Sequence, residues 1–164
     1  MGRISPDMIV MDAVIPRTQL PGVLTEIYRM AKHYGLTVAN VFHAGDGNLH
    51  PLILFDSRRA DQVDKILEMG GEIMKVCVAA GGALSGEHGV GIEKKEFMDL
   101  VFSENDLDAM MQVKNVFNPK GLLNPSKIFP TRRSCTEIGK GSTTNTAEIG
   151  RRVEAVLLRG NGDH

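Results

Sequence analysis

Phe42-His43-Ala44-Gly45-Asp46-Gly47-Asn48-Leu49-His50 lies between two apolar runs, residues 36–42 and 49–55. Each run has the length and side-chain character of a strand, and the glycine-rich residues between them, centred on Asp46-Gly47, read as a turn. The stretch is therefore a β-hairpin with a histidine at the foot of each arm. If His43 ends one strand and His50 begins the next, antiparallel pairing carries both imidazoles to the same end of the sheet, within reach of one cation. Gly45 and Gly47 let the turn fold tightly.

Working outward, Leu20, Val23, Leu24, Ile27, Met30, Ala31 and Tyr34 recur at helical spacing, with Thr18 or Gln19 at the start and Gly35 as the stop. Ahead of that helix, residues 8–15 form an apolar run ended by Pro16, which suits a buried strand. Beyond the hairpin, Val63, Ile66, Leu67, Gly70, Ile73, Met74 and Cys77 trace a second helical stripe within residues 58–80, ended by Gly81-Gly82. Ala83-Leu84-Ser85 reads as a fourth short strand. The order βαββαβ predicts an α+β fold of ferredoxin-like type: an antiparallel sheet with both helices on one face and its other face free for another domain or subunit.

Further along, residues 91–98 read as a helix, and Ser103 with Glu104 and Asp106 starts a C-terminal helix. Leu107, Met110, Met111 and Phe117 give that helix an apolar side, Asn118-Pro119 stops it, and residues 122–129 run extended. From Thr131 to the end the composition turns to Ser, Thr, Gly and charge, with a weak amphipathic stretch at Ile149, Val153, Val156 and Leu157. The expected organisation is one domain, 1–130, and a partly disordered polar tail, 131–164.

Nineteen Lys and Arg against 20 Asp and Glu leave no sequence-independent attraction to nucleic acid or to an anionic membrane, so a small molecule is the expected ligand. Cys77 and Cys135 are too few for a disulfide framework. With no signal peptide and no long apolar span, a reducing cytoplasm is expected and a transmembrane segment is not.

Ser85-Gly86-Glu87-His88-Gly89-Val90-Gly91 follows the fourth strand and precedes the 91–98 helix, so Glu87 and His88 sit at a strand-to-helix junction and point in different directions. Glu87 then completes a two-histidine, one-carboxylate metal site with His43 and His50, while His88 faces the substrate and open coordination positions take substrate oxygens. Any one of these residues is more often a plain surface group, and the convergence of three ligand types on one edge carries the reading. Asp46 is either an acceptor behind a ligand imidazole or simply a turn residue, and Asn48 has the same two readings. His33, in a helix, and His164, in the tail, are structural or incidental.

His43-Ala44-Gly45-Asp46-Gly47-Asn48-Leu49-His50-Pro51, Gly86-Glu87-His88-Gly89-Val90-Gly91, and Phe117-Asn118-Pro119-Lys120-Gly121-Leu122-Leu123-Asn124-Pro125 with Lys127-Ile128 resemble the C-terminal domain of FAD-linked oxidases. Within the vanillyl-alcohol-oxidase flavoprotein superfamily, the branch they resemble is that of the glycolate oxidase D-subunit and D-lactate dehydrogenase. The resemblance covers Gly2 to about Pro130.

It implies a cap domain of an FAD-dependent 2-hydroxyacid dehydrogenase or oxidase, completed by an FAD-binding domain or subunit that this stretch does not contain. Metal-assisted hydride transfer from C2 of a small 2-hydroxy acid to FAD would give a 2-oxo acid, and the isolated chain is expected to be inactive. By the same resemblance, His43, His50 and Glu87 match divalent-metal ligands (zinc, manganese or iron), and His88 matches the catalytic base. Asn124 falls in a segment similar to one that packs near the flavin. Pro125-Ser126-Lys127 departs from the family's usual Pro-Gly-Lys. Arg17 and Lys94 are candidate partners for a substrate or flavin anion, although each residue type is more often a solvated surface charge. An open sheet face also predicts self-association or a partner. A second reading, a ferredoxin-like metal-binding or regulatory module without redox activity, has no use for residues 118–130 or for a histidine beyond the ligands.

Overall fold

In the computed structural model, which describes residues 4–131, the hairpin supplies the sheet's central strand and one of its edges. β3 (Thr37–His43) and β4 (Asn48–Phe55) pair antiparallel from Thr37 opposite Leu54 to His43 opposite Asn48. Along the other edge of β4 run β1 (Asp7–Val10), with Val10 opposite Leu52, and β2 (Ala13–Val14), with Ala13 opposite Leu49. Together they are the predicted first strand, interrupted at Met11 and Asp12. The two pairings share one register, and the Met11 N–H still donates to the Pro51 carbonyl at 2.9 Å, so Asp12 falls opposite His50. The predicted fourth strand contracts to a single bridge, Ala83 opposite Val14.

α1 (Leu20–Tyr34) and α2 (Ala60–Ala79) follow the predicted stripes. Gly35, at φ 66°, ends α1 in the left-handed conformation that a glycine adopts without strain, and its N–H caps the Ala31 and Lys32 carbonyls. Val23, Ile27 and Met30 of α1 and Ile66, Met69, Ile73 and Met74 of α2 bury their side chains with Leu49, Ile53 and Phe55 of β4 in one core. Because side chains alternate along a strand, Asn48, His50, Leu52 and Leu54 point to the opposite face. On that face Met8 and Val41 remain 48% and 50% exposed. The α+β architecture with helices on one face therefore stands, and it delivers His50 to the face away from the helices, where it is buried.

Three local expectations are corrected. Residues 91–98 do not form a helix: Gly89 and Gly91 take φ of 81° and 56°, and only a short 3-10 helix, Lys95–Leu100, follows. Residues 122–129 are not extended. Asn124, Ser126 and Ile128 adopt positive φ (44°, 62° and 74°), and the Asn118 side chain accepts the Leu123 N–H at 3.0 Å to fold the segment back. α3 (Glu104–Phe117) begins at the Ser103 capping box as expected and buries Leu107, but Phe117 is 76% exposed rather than part of its packed side. Residues 132–164, with the predicted amphipathic stretch, Cys135 and His164, lie outside the described residues.

Candidate metal centre

His43 closes β3 opposite Asn48, and His50 stands two residues further along β4 on the same face. Their rings meet edge to face, with centroids 5.5 Å apart. The hairpin thus brings together the two imidazoles predicted to converge. Only one of the two turn glycines is needed sterically: a Cβ on Gly47, whose φ is 74°, would lie 2.1 Å from the Ile15 carbonyl oxygen, whereas one on Gly45 would meet nothing within 4 Å.

Glu87 and His88 arrive on the loop that follows the Ala83 bridge. Glu87 Oε1 lies 3.0 Å from His50 Nε2 and 3.5 Å from His88 Nε2. The His88 ring stacks on His50 at a centroid separation of 5.0 Å and an interplanar angle of 20°. One ligand-type atom from each of His43, His50 and Glu87 falls within 4.8 Å of the other two. Bonds to zinc of about 2.0–2.2 Å in a tetrahedral arrangement place ligand atoms about 3.4 Å apart, so movements of about 1 Å shared between the side chains would close this set around a divalent cation. His50 is buried while His43 and Glu87 reach solvent, which leaves one side of the group open. His50 Nδ1, also buried, has no hydrogen-bond partner among the described residues. Two imidazoles, a carboxylate and an open side fit a catalytic divalent metal.

What holds the loop is Asp12, a residue to which the sequence reading gave no role. Its side chain is fully buried at the interruption between β1 and β2. Oδ2 accepts the Ser85 hydroxyl at 2.5 Å and the N–H groups of Gly86, Glu87 and His88 at 3.0, 3.2 and 3.0 Å. Lys94 Nζ lies 3.2 Å from the same oxygen and also donates to the Asp12 carbonyl. Burial by itself raises a carboxyl pKa, but here the Ser85 hydroxyl, the His88 N–H, the Lys94 charge and the Glu87 N–H outweigh it and hold Asp12 well below the usual carboxylate range.

Lys94 is accordingly not a solvated surface charge: it is 3% exposed and neutralises a buried carboxylate. A sequence signal for the pair did exist, since an aspartate inside Met8-Ile9-Val10-Met11-Asp12-Ala13-Val14-Ile15 sits in a strand read as buried, where an ionised group needs a partner.

The remaining candidates separate from this group. Asp46 closes the hairpin turn through its N–H, which donates to the His43 carbonyl at 2.9 Å. Asn48 is buried against Gly86, where an added Cβ would stand 2.4 Å from Asn48 Oδ1, so Gly86 is the residue that lets the loop press onto the sheet. Arg17 begins a short 3-10 helix, Arg17–Gln19, beside Gly47. Asn124 lies in the turn after α3, its carbonyl and side-chain oxygens accepting Lys114 and Lys127 at 3.3 Å, and is not joined to the histidines. That turn does reach the loop, because the Ile128 N–H donates to the Gly91 carbonyl at 2.7 Å. His33 packs edge to face on Tyr34 within α1.

Residues 1–128 match the family described as FAD linked oxidases, C-terminal domain. The glycolate oxidase subunit GlcD of Escherichia coli (strain K12) is 51% identical over 139 residues, covering 85% of this chain and 28% of that protein. GlcD of Bacillus subtilis (strain 168) is 34% identical over 129 residues, covering 79% and 27%. The mitochondrial D-lactate dehydrogenase [cytochrome] 1 of Saccharomyces cerevisiae is 34% identical over 120 residues, covering 73% and 20%. The chain spans about a quarter of the length of these curated relatives. Among the described residues, no helix is long and apolar enough to cross a membrane.

Proposed function

The chain belongs to the family of FAD-linked oxidase C-terminal domains, and from that membership we propose that it is the substrate-side cap of a flavin-dependent 2-hydroxyacid oxidoreductase acting on glycolate, D-lactate or a similar acid. The observation that carries this reading is the convergence of His43, His50 and Glu87 within 4.8 Å, with the His88 ring stacked beside them.

On this reading His43, His50 and Glu87 hold a divalent cation, and their open side receives the substrate's carboxylate and 2-hydroxyl oxygens. The bound ion supplies Lewis acidity that lowers the hydroxyl pKa, and FAD, held mainly by a partner domain or subunit, supplies the hydride acceptor. His88 takes the hydroxyl proton. Its half-exposed ring is held by stacking on His50 and by its contact with Glu87, so it is oriented yet accessible to a substrate. His50, buried and flanked by carboxylates, fixes the position of the whole group. Asn124 is assigned to the surface that meets the flavin, and the open sheet face around Met8 and Val41 to the FAD-binding partner. Oxidation requires that partner, and a cytoplasmic location completes the proposal.

The test pairs the chain with an FAD-binding domain of the same family and follows flavin reduction by glycolate and by D-lactate. Reduction that depends on added divalent ion and disappears in His43→Ala/His50→Ala supports the reading. Ion binding by the chain with no flavin reduction in any pairing would instead mark a redox-silent metal-binding module.

A further inference from the structure

We infer that Asp12 is the positioning residue of this centre, the single carboxylate that sets the distance between His50 on the sheet and Glu87 and His88 on the loop. The inference rests on the metal-site reading above and extends it to a residue outside the ligand set.

Asp12 falls opposite His50, since Val10 pairs with Leu52 and Ala13 with Leu49 in one register. On its other side Val14 bridges Ala83, which brings Ser85 level with Asp12, and the Ser85 hydroxyl donates to its carboxylate. Asp12 therefore stands in the row between the strand that carries one ligand and the chain that carries another.

Three successive N–H groups, those of Gly86, Glu87 and His88, converge on Oδ2, as backbone nests converge on a bound anion. The backbone of both loop residues in the centre is thus tied directly to Asp12. Lys94 supplies the compensating charge, so the anion stays in place although fully buried.

His50 faces the same carboxylate. Its two ring nitrogens face two carboxylates, Nε2 toward Glu87 at 3.0 Å and Nδ1 toward Asp12 Oδ1 at 3.9 Å, and Nδ1 has no hydrogen bond among the described residues. An imidazole that gives one nitrogen to a metal normally donates from the other to a carboxylate or carbonyl, and Asp12 is the carboxylate in reach.

Asp12→Asn keeps the side-chain size but replaces one acceptor oxygen with a donor, and Asp12→Asn/Lys94→Met also removes the cation that would otherwise be left buried and unpaired. Amide hydrogen exchange by NMR and Zn²⁺ titration by calorimetry, on the whole chain and on both variants, test the role. At Gly86, Glu87 and His88, exchange should accelerate at least about tenfold while Ile53 in β4 and Ile73 in α2 keep their protection, and Zn²⁺ affinity should fall about 10–100-fold.

Unchanged exchange at the three loop amides, or faster exchange spread evenly over the domain, would overturn the positioning role. So would unchanged Zn²⁺ affinity in variants whose loop has loosened. If the unsubstituted chain takes up no Zn²⁺, the metal reading fails by itself, and the exchange pattern still decides whether Asp12 holds the loop.

Discussion

Glu87 Oε1 lies 3.0 Å from His50 Nε2, joining the loop after α2 to the first residues of β4. The two side chains come from opposite sides of the strand that carries Asp12, and each has its position set by that strand. A cation bound here would meet a preorganised set, its side chains held by sheet register and by backbone hydrogen bonds rather than gathered by the ion. Glu87→Gln should therefore leave the fold intact and weaken Zn²⁺ binding by at least about tenfold, since an anionic ligand is lost without loss of shape. Calorimetric titration of the variant checks this.

Replacing His88 tests whether the proposed base is distinct from the proposed ligands. His88→Ala in the flavin-paired protein should keep Zn²⁺ affinity within a few-fold of the original while lowering turnover about 10²–10⁴-fold, the usual contribution of a positioned general base. Elemental analysis and steady-state kinetics on the same preparation give both numbers. Loss of the metal would place His88 among the ligands.

Gly86→Ala should destabilise the domain. The added Cβ would stand 2.4 Å from Asn48 Oδ1, so either the loop lifts or Asn48 leaves its buried position. A cost of about 1–3 kcal/mol is expected for overpacking of this kind. Asn48→Ala added to the variant should recover part of the loss in urea unfolding, because it removes the colliding amide.

Acid sensitivity should centre on Asp12. Its carboxyl pKa is lower in the folded chain than in the unfolded one, so its ionised form stabilises the fold at pH values above the ordinary carboxylate value of about 3.9, and that stabilisation is lost as the pH falls below it toward the folded value. Urea unfolding from about pH 6 to about pH 3, which crosses the upper part of that range, should show stability falling more steeply below about pH 4 in the original chain than in Asp12→Asn/Lys94→Met. Equal slopes would show that the depressed carboxyl is not what acid disrupts.

Cys77 should resist thiol reagents. Burial pushes its thiol up to about 11, only partly countered by Lys94, and the side chain is inaccessible in the core. Peptide mapping after iodoacetamide should find Cys77 unmodified in the folded chain and alkylated in denaturant.

The parts of the fold readable in the sequence were those set by local pattern. The stripes ending at Gly35 and at Gly81-Gly82, the Ser103 cap and the Asp46-Gly47 turn each declare themselves within one or two turns of chain, and they were enough to bring His43 and His50 together. What escaped was set by distant partners. The 84–91 loop takes its shape from an aspartate on the first strand, and residues 122–129 fold back through the Asn118 side chain and the Ile128–Gly91 bond. Lys94 was misjudged for the same reason, because a lysine is normally a surface residue and only the position of Asp12 makes it a buried one.

Divalent-ion stoichiometry, measured by elemental analysis of the purified chain after dialysis against zinc-containing and then zinc-free buffer, beside His43→Ala/His50→Ala, decides whether His43 and His50 hold a metal. About one ion per chain is expected in the original and none in the variant. Equal metal content in the two proteins, whether one ion or none, would show that the two histidines hold no metal.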